Sequence, residues 1–123
     1  MVRSITIGLM ALSVGLTSLL SPATAHADAA AGERTAKIKC AGCHGATGAG
    51  NGVMLQTLNV SVPPVPWTSK AGMAKFSDQL LTKVIKEGGQ KALGKSPIMP
   101  AFGNQLSDTQ IADLVAYIHS LAQ

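Results

Sequence analysis

The chain has 123 residues and a formal net charge of +4, with charged residues at 13% and aromatics at 3%. That length allows one domain around one core. The charge excess is small and no basic stretch is interleaved with aromatics, which argues against a nucleic-acid binder.

The N-terminus reads as an export signal. Arg3 supplies a positive start, Ile5 to Leu20 is an apolar run, Pro22 breaks it, and Ala25-His26-Ala27 offers a small-residue cleavage site. Residues 1–27 are therefore expected to leave, and a mature domain to span residues 28–123. Cleavage after Ala25 is the rival reading, and retention as a membrane anchor a third. The apolar run falls short of the roughly 20 residues that span a bilayer, so no stable membrane insertion is expected after processing. The expected compartment is the periplasm. All four aromatics, Trp67, Phe76, Phe102 and Tyr117, lie in the mature part, which carries about +3 once Arg3 is removed. That is few for a domain that must bury a core, and a large apolar cofactor would supply the missing volume.

The first predicted helix runs from about Ala29 to Cys40, with Asp28 or a neighbour as its cap. It leads into Cys40-Ala41-Gly42-Cys43-His44. A CxxCH segment in an exported chain reads as a c-type haem attachment site. One short turn can bring both thiols to the two haem vinyl groups, and the adjacent imidazole can offer a ring nitrogen to iron. A redox dithiol and a zinc site are the alternatives. A structural zinc site needs about four ligands, whereas outside the pentapeptide the mature chain has no further cysteine and only His119 as histidine. No βαβ pattern suggests a thioredoxin-like site.

From Gly45 to Gly52 the chain is too glycine-rich for a regular helix and reads as a loop. It matches neither a P-loop nor a dinucleotide fingerprint. Val53 to Ser69 lacks periodicity and contains Pro63-Pro64-Val65-Pro66-Trp67, so no helix is expected there. Ser77 caps a helix from Asp78 to about Glu87, with Leu80, Leu81, Val84 and Ile85 as its apolar stripe and Gly88-Gly89 as its stop. After a loop, Ser107-Asp108-Thr109-Gln110 is a capping box. It opens a helix reaching the C-terminus, with Ile111, Leu114, Val115, Ile118 and Leu121 on one face. No alternating run argues for a sheet. The predicted fold is small and all-α, with long loops of the kind that wrapping a cofactor requires.

An iron held by His44 has a sixth position, whose occupant separates a carrier from a catalyst. The candidates are Met54, Met73, Met99, His119 and the lysines. Met99 lies in Pro97-Ile98-Met99-Pro100, where two prolines favour a fixed extended loop able to hold a thioether against iron. Met54 and Met73 read more simply as apolar filler, and His119, near the end of the last helix, as a surface residue.

These residues resemble the class I (monohaem) cytochromes c: Cys40-Ala41-Gly42-Cys43-His44-Gly45 near the start, Met99-Pro100-Ala101-Phe102 in the later loop, and Leu106-Ser107-Asp108 through Leu114-Val115-Ala116-Tyr117-Ile118 at the end. The likeness covers essentially the whole mature chain. It implies a cytochrome c-like helical domain wrapped around one covalent haem c, with thioethers at Cys40 and Cys43, His44 as proximal ligand and Met99 as distal ligand; such Met/His ligation raises the potential. It also implies a contact between a glycine of the first helix, Gly32, and an aromatic of the last, Tyr117. Ala36 stands where the family often has an aromatic. A proline carbonyl, from Pro63 or Pro64, is expected to hold the proximal imidazole by its other nitrogen.

With both axial positions filled by protein, the iron is restricted to gaining and losing one electron, so the expected function is an electron carrier and not an enzyme. Expected partners are redox proteins: a periplasmic dehydrogenase, a cytochrome complex or a terminal oxidase. A dedicated cytochrome subunit of one periplasmic dehydrogenase is the alternative, and a haem enzyme or gas binder would need an open sixth site. Lys70, Lys75, Lys83, Lys86, Lys91 and Lys95 would either gather into a basic face that steers an acidic partner or form a scattered solvated surface.

Overall fold

The computed structural model describes residues 26–95 and 97–123. Up to residue 25, the expected export signal lies outside the described residues. Seven helices follow in chain order, and among the described residues there is no strand. The three longest are those the sequence predicts. Helix α1 spans Ala29–Lys39, and the Asp28 side chain accepts from the N–H groups of Ala30 and Ala31. Helix α5 spans Asp78–Glu87, capped by Ser77. Helix α7 spans Asp108–Leu121, with the reciprocal Ser107/Gln110 capping box formed. These caps satisfy N–H groups that the first turn of a helix cannot satisfy itself.

The short elements correct the sequence reading. Residues Ala41–His44 form α2, Met54–Thr57 form α3 and Lys70–Met73 form α4. Helix α3 lies in the stretch expected to lack one. It is a single turn, followed by Asn59 at φ 55°, and one turn is too short to show periodicity. Helix α6, Gly89–Leu93, occupies the start of an expected loop. Gly88, at φ 84°, breaks the chain direction after α5, and Gly89 begins a new turn that ends at Gly94 in the left-handed region.

Helices α1 and α7 form the main helix pair. A Cβ on Gly32 would collide with the Asp113 carbonyl and lie 2.9 Å from the Leu114 nitrogen. Gly32 therefore meets the backbone of Asp113 and Leu114, in the same helix as the Tyr117 that the resemblance pairs with it. Backbone-to-backbone crossing leaves no room for a side chain on α1. Tyr117, one turn further on, meets Trp67 edge-on, with ring centroids 6.4 Å apart. Ile111 and Leu114 are the most deeply buried large side chains. Leu81 and Ile85 of α5, Met73 of α4 and Trp67 of the proline segment complete the core around them. Ala36 is buried as well.

Candidate functional site

Helix α2 gathers three of the four predicted site residues onto one turn. The N–H groups of Cys43 and His44 both donate to the Cys40 carbonyl, at 3.2 and 2.9 Å. The glycine loop then folds back on that turn: Gly50 N–H donates to the His44 carbonyl at 2.8 Å and Gly52 N–H to the Cys43 carbonyl at 3.1 Å. Positive φ at Gly45, Gly48 and Gly50 makes this reversal.

Cys40 and Cys43 are free thiols, both half-buried. Burial, with a smaller contribution from the Cys43 charge, pushes the Cys40 thiol up to about 11. A thioredoxin-like nucleophile needs a depressed thiol pKa, so the chemistry of Cys40 runs against the dithiol reading. For zinc, no group of three or more His, Cys, Asp or Glu side chains able to hold a metal ion occurs among the described residues.

Burial lowers the His44 pKa to about 4. The imidazole is therefore neutral at pH 7 and keeps a lone pair for a metal. Its ring stacks on Trp67, with centroids 4.5 Å apart and planes inclined by 22°. The backbone of Trp67 is in turn fixed by its main-chain N–H, which donates to the Gly48 carbonyl at 2.7 Å. The sequence reading missed this stack, because the two rings lie 23 positions apart with no periodic signal between them. His44 Nδ1 has no hydrogen-bond partner, so neither Pro63 nor Pro64 holds the imidazole in this structure. The Pro64 carbonyl is instead turned toward Gly50, where an added Cβ would lie 2.7 Å away.

Met99 is half-buried on a separate scaffold, the C-terminal end of α5. Its carbonyl accepts from Gly89 N–H at 3.0 Å, while Phe102 and Gly103 donate to the Ile85 and Lys86 carbonyls at 2.9 and 3.1 Å. The loop thus caps α5 with its own backbone, and α5 fixes the loop. The rival ligands are otherwise engaged. Met73 is in the core at 3% exposure, and the Met54 sulfur lies against Gly42. His119 Nε2 lies 2.9 Å from Asp78 Oδ1, off the line of a hydrogen bond. Of the six lysines considered for a basic face, Lys86 pairs with Asp108 at 2.7 Å and the other five are exposed.

Ile38 just before the thiols, Val53, Met54, Leu58, Val62 and Val65 after the glycine loop, and Ile98 beside Met99 stay substantially exposed. Large apolar side chains left exposed are suited to a large apolar ligand. Two thiols on one turn, a neutral imidazole with an unpartnered nitrogen and a thioether on a loop anchored by its main chain fit a haem.

Comparison with known proteins agrees. Residues 27–118 match the family described as cytochrome c oxidase, cbb3-type, subunit III. The chain is 36% identical over 120 residues to cytochrome c6 of Picosynechococcus sp., covering 91% of this chain and 93% of that protein. It is 32% identical over 113 residues to the cytochromes c6 of Thermosynechococcus vestitus and Thermostichus vulcanus, covering 91% of this chain and 87% of each relative. The chain belongs to the monohaem cytochrome c family, and it is an electron carrier with one covalent haem c, not an enzyme.

Proposed function

We propose that this protein is a periplasmic electron shuttle, exported by residues 1–27, whose haem is tethered by Cys40 and Cys43 and ligated by His44 and Met99. When bound, the haem iron gains and loses one electron. The chain's own residues supply the constancy that such transfer needs. His44 is held neutral by burial and fixed in plane by Trp67. The Met99 loop is anchored to α5 through main-chain hydrogen bonds that are independent of any ligand. Ligands fixed before the electron arrives need little rearrangement when the charge of the iron changes. The partners are redox proteins, drawn from periplasmic dehydrogenases, cytochrome complexes and terminal oxidases.

The anchoring of Met99 carries this reading, because a filled sixth position limits the iron to electron transfer. In the purified holoprotein, Met99→Ala should keep the haem covalently bound, lose the weak methionine-to-iron band at the red end of the oxidised spectrum, and lower the potential. Carbon monoxide should leave the reduced native spectrum unchanged and alter that of the variant. A Met99→Ala spectrum identical to the native one would move the distal ligand elsewhere.

A further inference from the structure

The Asp28 backbone nitrogen donates to Asp113 Oδ1 at 2.7 Å, across the crossing of α1 and α7. Asp113 is 8% exposed and is the buried charged residue of the described core. A carboxylate in that position needs a charged or strongly donating partner. Its observed partner is a backbone nitrogen at the proposed processing junction, with His26 and Ala27 exposed just before it.

We infer that removal of the leader after Ala27 turns Asp28 nitrogen into an α-ammonium that forms an ion pair with the buried Asp113 carboxylate, so that processing itself fastens α1 to α7. Hydrolysis of the Ala27–Asp28 bond leaves a carboxylate on Ala27 and a protonated amine on Asp28, with water as the only co-reactant. A cation at the N-terminal end of a helix is opposed by the helix dipole. The Asp28 side chain is already committed to the N–H groups of Ala30 and Ala31. Asp113 is the second carboxylate in place to offset the new charge, and it is held there because Gly32 brings α1 against its backbone. Processing two residues earlier, after Ala25, would leave an uncharged amide at this position.

The inference rests on export with leader removal, and its test does not involve the iron ligands. Intact-mass measurement of the exported holoprotein should give a chain that begins at Asp28; a chain beginning at His26, or an unprocessed one, overturns it. Holoproteins with defined start points provide the second test. The chain starting at Asp28 should melt about 5 °C above one retaining His26-Ala27, and Asp113→Asn should remove most of that difference. Equal melting of the two native-sequence chains, or the same loss from Asp113→Asn at both start points, overturns the ion pair. The comparison of start points with Asp113 intact remains decisive if Asp113→Asn fails to fold. The haem spectrum should be the same in every folded form.

Discussion

At the scale of single residues, His44 carries the clearest electrostatic signature. Its pKa falls from 6.5 to about 4 because burial disfavours the cation. The folded state thus prefers the neutral ring, while the unfolded chain takes up a proton below pH 6.5. The associated stability is complete above pH 6.5 and is lost as pH falls through that value toward 4. Iron on the ring would act in the same direction, since metal and proton compete for nitrogen. The helical circular dichroism of the haem-free chain, whose imidazole carries no metal, should therefore hold level above pH 6.5 and decline below it; a signal rising on acidification through that window would contradict a buried neutral imidazole.

At the scale of elements, the two scaffolds of the site differ in how local their causes are. The CxxCH turn is closed by contacts within the segment 40–52. The Met99 loop depends on α5, and the hinge of that arrangement is Gly88, at φ 84° and ψ 164°. A Cβ there would lie 2.9 Å from the Met99 carbonyl oxygen. Gly88→Ala should cost about 1–3 kcal/mol in urea unfolding, since the conformation is almost exclusive to glycine. It should also weaken the methionine-to-iron band in the folded holoprotein. Gly94, with open space around its Cβ position, supplies the control: Gly94→Ala should cost about 1–2 kcal/mol for its left-handed backbone and leave the band intact. The same locality explains what the sequence could and could not reveal. Asp28, Ser77 and Ser107 announce α1, α5 and α7 because a cap and its helix are neighbours in the chain. Helices α3, α4 and α6 are single turns, too short to carry a periodic signal, although Ser69 caps α4 just as locally. The stacking of Trp67 on His44 and the approach of Gly32 to Asp113 are tertiary events, for which the chain between carries no periodic signal. Gly32 was legible as a residue at a close crossing, whereas the main-chain groups it meets there were not.

At the scale of the whole molecule, the protein core and the cofactor share one stabilising task. The core is built on α1, α5 and α7 with few aromatics, while Ile38, Val53 and Val62 are each 79% exposed and Leu58, Val65 and Ile98 are about 40% exposed. Covering a few hundred Å² of such apolar surface would contribute on the order of 10 kcal/mol, at about 25 cal/mol per Å². A domain of this size has a net stability of roughly 5–15 kcal/mol. The haem contact is therefore comparable to the whole margin by which the fold exceeds its conformational entropy cost. A chain carrying Cys40→Ala and Cys43→Ala, prepared without haem, should retain some helical circular dichroism but melt without a cooperative transition. Its Trp67 fluorescence should lie closer to that of a solvated indole, because the loop bearing it loses its support against His44 and Gly48. A sigmoidal melt with a native-like midpoint would mean that the polypeptide core suffices, and would reduce the cofactor to a passenger in the fold.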